Sequence, residues 1–233
     1  MPVPPTAATE TRVRLDLFDA RAGLDRGRSR WVEGLWYLVK TVVFLSALPW
    51  PSRWKAALLR GFGARVGRGV VLKPRVNIHF PWKLEVGDYA WIGEEVFLLN
   101  FEPVTIGAQA CVSQRAFLCT GNHDFRQPAM PYRNGPIAVG AGAWVGAQCF
   151  VGPGVVIGPE AVVAAGSVVT HDLPARMVCR GNPCTARKPR WKTMPDSPAA
   201  AAPSSRMTPI PPGESSPVRP SLTSGPPDTS LPT

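Results

Sequence analysis

Histidine is scarce in these 233 residues. Only His79, His123 and His171 occur, 44 and 48 positions apart, so the sequence offers no compact imidazole set for a metal. The five cysteines (Cys111, Cys119, Cys149, Cys179 and Cys184) show no CxxC spacing and are odd in number. That excludes a zinc knuckle and a paired disulfide framework, and leaves reduced thiols as the simpler reading. No apolar run reaches the roughly 20 residues needed to cross a bilayer. The best candidate, Leu35 to Leu48, offers 14 and includes Lys40. Residues 1–30 mix acidic and basic groups without the apolar core of a secretory signal, so a cytoplasmic location is expected. There is no P-loop, no GxGxxG after a strand and no GxSxG nucleophile elbow, which removes the common nucleotide-binding and serine-hydrolase readings. Acidic residues are few, 16 against 26 Lys and Arg, for a net charge of +10. This balance points to an acidic partner: nucleic acid, anionic lipid or a polyphosphorylated cofactor. Scattered basic residues, and aromatics concentrated near the N-terminus, set nucleic acid aside.

What the chain does contain is a repeat of six. From Val139, every sixth residue is Val139, Val145, Val151, Ile157, Val163 and Val169, followed by Gly140, Gly146, Gly152, Gly158, Ala164 and Thr170. Helices and ordinary strands have side-chain periods of 3.6 and 2, so neither accounts for it. The period fits a solenoid of short strands, three hexads per coil, with each aliphatic anchor pointing inward onto its equivalent in the next coil. Small residues are expected to let the chain bend at the corners. The same phase runs backwards through Val66, Leu72 and Ile78, slips by two before Val86, Ile92 and Leu98, and slips again before Ile106, Val112 and Leu118.

The remaining chain divides around this core. Residues 1–30 are expected to be a flexible N-terminal segment. Over 31–63, Trp31, Leu35, Leu38, Val39, Val42 and Val43 recur at helical spacing until Pro49 and Pro51 end the run, and a second helix is expected near Ser52 to Phe62. These helices read either as a cap on the open end of the coils or as a peripheral membrane attachment through an aromatic and basic face. The coil domain spans 64–190, and the Pro/Ser/Thr-rich stretch 191–233 is expected to be a disordered tail.

Residues 120–136 (TGNHDFRQPAMPYRNGP) have no hexad phase and are polar, so they must leave the coil as an external loop. The loop contains His123. An imidazole titrating near neutrality suits a general base. Asp124 reads as orienting the imidazole, as part of a loop salt bridge or as a substrate contact, and Asn122 as a turn former. Asn100 and Glu102, at a corner insertion one coil earlier, are candidates to touch a substrate. Cys119, beside the loop, leaves a covalent route open.

The hexads, together with LWYLVK, LLNFEPVTIG, FLCTGNHDF and RGNPC, resemble the hexapeptide-repeat acyltransferases. The resemblance lies in the branch of galactoside and maltose acetyltransferases and of exopolysaccharide-biosynthesis acetyltransferases, and covers roughly residues 61–190. It implies an all-β solenoid, a left-handed parallel β-helix, with N-terminal α-helices. It implies O-acetyl transfer from acetyl-CoA to a sugar hydroxyl, direct attack with His123 as base, and a homotrimer whose donor groove lies between neighbours. Matching the family's VWIG motif puts Trp144 beside the thioester and the Ala147 N–H near the oxyanion. The segment AAGSVVT places Ala165 and Thr170 along the cofactor, and Arg187 and Lys188 near its phosphates. An exposed solenoid aromatic and solvated basic residues are the plain alternatives for Trp144 and for Arg187 and Lys188. A zinc hydrolyase of the γ-class carbonic anhydrase type uses the same scaffold, but needs two ligands five residues apart, which this sequence lacks. N-acetylation of an amino-sugar nucleotide and a non-catalytic hexapeptide-repeat scaffold remain as alternative functions.

Overall fold

The computed structural model describes residues 12–192 and is a three-sided parallel β-helix of five complete coils. Its strands are two or three residues long because each hexad must also turn a corner. Face A carries Arg65–Val66, Leu84–Val86, Val104–Ile106, Ile137–Val139 and Val156–Ile157. Face B carries Val71–Leu72, Trp91–Ile92, Cys111–Val112, Trp144–Val145 and Val162–Val163. Face C carries Asn77–Ile78, Phe97–Leu99, Phe117–Cys119, Phe150–Val151 and Val168–Val169. An antiparallel hairpin, Met177–Gly181 with Cys184–Pro189, extends face B after the last coil.

The hexad anchors become three ladders. Val66, Val86, Ile106, Val139 and Ile157 stand in register on face A. Leu72, Ile92, Val112, Val145 and Val163 do so on face B. Ile78, Leu98, Leu118, Val151 and Val169 complete face C. All except Val66 are buried, and they form one continuous core. Each coil thus hides its apolar side chains against its neighbours, as solenoid stability requires.

The role expected of the small residues is met in part. Gly69, Gly142, Gly154 and Gly166 take the left-handed backbone at the corners, with φ of 64°, 66°, 79° and 70°, but Arg75, Glu95, Arg115 and Gln148 take it as well, with φ of 57°, 58°, 59° and 58°. Other glycines mark where coils touch. A Cβ on Gly146 would lie 2.6 Å from the Ala165 nitrogen, and one on Gly140 would lie 2.5 Å from the Pro159 nitrogen.

Helix α1 (Arg30–Val39) runs on into a π-helical turn, Lys40–Phe44, and α2 spans Ser52–Gly61. Trp36 and Phe44 from the first, with Ala56 and Leu59 from the second, pack into the core beside Leu72, Val76 and Ile78. Lys55 is buried there, its Nζ donating to the Leu72 and Lys73 carbonyls at 3.3 and 3.0 Å. No helix among the described residues is long and apolar enough to cross a membrane. Within the segment expected to be flexible, residues 12–29 make specific contacts, while residues 1–11 and most of the tail expected over 191–233 lie outside the described residues.

The phase slips share one location. The intervals Ile78 to Val86, Leu98 to Ile106 and Leu118 to Val139 all pass from face C to face A, so two equal short insertions and one long one stack on a single corner. This corner carries the candidate site.

Candidate active site

The loop at the C-to-A corner is a short antiparallel arm. Its strands are tied by Gly135 N–H to the Thr120 carbonyl (3.0 Å), Arg133 N–H to Asn122 (2.8 Å) and Asp124 N–H to Pro131 (2.8 Å). The bridge pairs His123 with Tyr132. The imidazole Nδ1 lies 2.7 Å from the Met130 carbonyl. A carbonyl can only accept, so Nδ1 carries the proton and Nε2 presents a lone pair. Nε2 has no hydrogen-bond partner among the described residues. Met130 adopts φ +47°, uncommon for a side chain of its size, and this conformation belongs to the turn that presents its carbonyl to the ring.

Aromatic side chains clasp the imidazole. Phe18 meets it edge-on at 5.3 Å, Tyr132 is 5.1 Å away, and Phe18 and Tyr132 are 5.2 Å apart. Phe18 reaches the loop because the N-terminal segment lies along it, with the Arg14 N–H donating to the Pro128 carbonyl at 2.8 Å. The cluster continues through Phe101 to His79, Phe80 and Trp82 in the two smaller insertions. His79 is held neutral. Burial, reinforced by nearby Lys40, brings its pKa down to about 4. Phe18, Tyr132 and the Met130 carbonyl escaped the sequence reading. Long-range aromatic contacts leave no local pattern, and a backbone carbonyl leaves none at all.

The other loop and corner candidates have structural tasks. Asn100 is fully buried, its Oδ1 accepting from the His79 and Phe80 N–H groups (3.1 and 2.9 Å) and its Nδ2 donating to the Phe80 carbonyl (2.5 Å). Its amide is not open to a substrate. Asp124 braces the loop tip by accepting from Gln127 Nε2 (2.8 Å) and the Arg126 N–H (3.2 Å), and the Gln127 bond leads in holding its carboxyl below the usual range. It does not orient His123. Glu102 is half-buried and its carboxylate makes no ion pair among the described residues. Cys119 is buried, and burial pushes its thiol pKa up, the wrong direction for a nucleophile. Among the described residues no group of three or more His, Cys, Asp and Glu converges as a metal site.

Residues 136–171 match the family model described as Bacterial transferase hexapeptide (six repeats). WcaF of Escherichia coli (strain K12), whose name assigns it to colanic acid biosynthesis as an acetyltransferase, is 44% identical over 159 residues, covering 68% of this chain and 87% of the relative. The chain belongs to the hexapeptide-repeat acetyltransferase family. The galactoside O-acetyltransferase of Escherichia coli (strain K12) is 29% identical over 134 residues, 56% of this chain and 66% of that protein. A hexapeptide-repeat acetyltransferase from Vibrio cholerae O1 biovar eltor, solved with acetyl-CoA, matches with a TM-score of 0.62 at 25% identity, covering 68% of this chain and 87% of that one.

Most of the residues that the family resemblance assigns to the donor stand on face B and on the B-to-C corner, whereas His123 is on the C-to-A corner. Trp144 stands on face B, 47% exposed, its Nε1 donating to Ser113 Oγ at 2.8 Å. Its register row continues through Val162 and Val178 to Lys188, three strand spacings or roughly 14 Å away. Arg187 and Lys188 are exposed on the outer hairpin strand. Ala147 and Ala165 stack on the B-to-C corner, where the Gly166 N–H donates to the Ala147 carbonyl at 2.8 Å. The Ala147 N–H has no acceptor among the described residues, and the same holds for Glu94 and Gln114 at equivalent turns. Thr170 is exposed on the C-to-A corner, two coils beyond Thr120.

Proposed function

We propose that this protein transfers an acetyl group from acetyl-CoA to a sugar hydroxyl in exopolysaccharide biosynthesis, with His123 as general base. The observation that carries the reading is the His123 ring, its Nδ1–H committed to the Met130 carbonyl and its Nε2 free. Nε2 takes the proton of the acceptor hydroxyl as its oxygen attacks the thioester carbonyl. The tetrahedral oxyanion collapses, the carbon–sulfur bond breaks, and the imidazolium returns its proton to the departing CoA sulfur. The net exchange is an ester and a thiol for an alcohol and a thioester. The family relatives named as O-acetyltransferases support the reaction class, and the acetyl-CoA complex of the Vibrio protein supports the donor.

A homotrimer follows from the same reading. His123 is on the C-to-A corner, whereas the row from Trp144 to Lys188 lies along face B. One face of a neighbour laid against that corner would bring donor strip and base together, giving three shared sites and a mass of about 75 kDa from 25.1 kDa chains. The test is a CoA-release assay with acetyl-CoA and a panel of sugars, followed by mass spectrometry of the product. Ester formation on hydroxyl acceptors by a trimer is expected. Acetylation confined to amino sugars, or no turnover by a monomer, would overturn the reading.

A further inference from the structure

Helix α1 and its π-helical continuation are apolar on two opposite sides. The inner side carries Trp36 and Phe44, which are buried. The outer side carries Trp31, Leu35, Leu38 and Val42, which recur at intervals of four, three and four and are 89%, 55%, 60% and 55% exposed. A helix apolar all round is ordinarily buried all round, so this outer stripe needs something to cover it. Beside it lies an open apolar groove of about 790 Å³, floored by Ala57, Leu58 and Phe62 and flanked by Val32 and the half-exposed Trp54. The surrounding charge is one-sided. Between Arg26 and Arg65 there are eight basic residues and one acid, Glu33; Lys40 and Lys55 are buried and Arg26 and Arg65 are paired with Glu33 and Glu85, which leaves Arg28, Arg30, Arg53 and Arg60 exposed without a carboxylate partner among the described residues. That stretch alone contributes +7 of the chain's +10.

We infer that this face is an interfacial docking surface for an anionic lipid leaflet. The apolar stripe enters the boundary between headgroups and acyl chains, Trp31 and Trp54 sit at its level, and exposed Arg28, Arg30, Arg53 and Arg60 meet lipid phosphates. Charge selects this occupant over a second copy of the chain. Two such faces brought together would oppose clusters of the same sign, whereas an anionic leaflet neutralises them. The continuous helix from Arg30 to Phe44 is roughly 22 Å long, so it lies in the interface and does not span it. The inference is independent of the transfer chemistry.

Flotation of the full chain with phosphatidylcholine vesicles, with and without phosphatidylglycerol, provides the test. The wild type is expected to float with the anionic vesicles at low salt, with a blue shift of tryptophan emission, and to release at high salt. Leu35→Glu with Leu38→Glu should cut the bound fraction about tenfold or more while sedimentation mass and circular dichroism stay unchanged. Arg30→Glu with Arg53→Glu, which keeps the apolar stripe, should remove the preference for anionic vesicles. Failure of the wild type to float overturns the inference. So does flotation indifferent to both pairs of substitutions, or a loss of oligomeric mass in Leu35→Glu with Leu38→Glu, which would identify a second copy as the occupant.

Discussion

Asn100 and Thr120 replace, at the inserted corner, hydrogen bonds that regular coils make through backbone alone. Asn100 serves three backbone groups of His79 and Phe80, and Thr120 Oγ1 accepts from the Glu102 N–H at 3.0 Å while donating to the Leu99 carbonyl at 2.8 Å. Both side chains are fully buried, so truncation strands their partners without access to water. Asn100→Ala is therefore expected to cost about 1–3 kcal/mol in urea denaturation. Unchanged stability with lost activity would instead return Asn100 to the substrate. At this scale the sequence is ambiguous, because a polar residue in an insertion has the same signature whether it braces the backbone or binds a ligand. The place of His123 in an external loop was readable from the sequence, but the Met130 carbonyl that its Nδ1 faces has no side-chain identity to read. Asp124 follows the same rule as Asn100, since its neighbours in the turn consume its oxygens.

The coil is the element that the sequence describes best. Its anchor period is also its geometry, so Val139 to Val169 gave strand positions, inward faces and register together. Phase slips marked the insertions, and their placement on one corner followed only once three hexads were wound per coil. The glycines were harder to interpret, because a small residue serves equally for a bend or for a close approach. Gly146 makes a close approach, whereas Gly34, inside α1, serves neither purpose. At Gly146 an added Cβ meets the backbone of the next coil at 2.6 Å, whereas at Gly34, exposed on α1, nothing lies within 4 Å. Gly146→Ala should destabilise by about 1–3 kcal/mol. Gly34→Ala should stabilise by up to about 1 kcal/mol through helix propensity. Thermal denaturation of the two variants checks the contrast, and equal shifts would contradict it.

Across the whole molecule, structure and charge are segregated. The helical cap concentrates positive charge and exposed apolar surface, the coils supply a rigid rod, and the stacked corner holds the imidazole with its proton fixed on Nδ1. The row from Trp144 to Lys188 lies on face B and the His123 imidazole on the C-to-A corner, and the proposed shared site joins them through a second copy. The central claim is proton removal by His123 Nε2, and the direct measurement is acetyl-transfer turnover of His123→Ala beside calorimetric CoA affinity. The account predicts a fall in kcat of about 10²- to 10⁴-fold with CoA binding unchanged. Turnover equal to the wild type would contradict it.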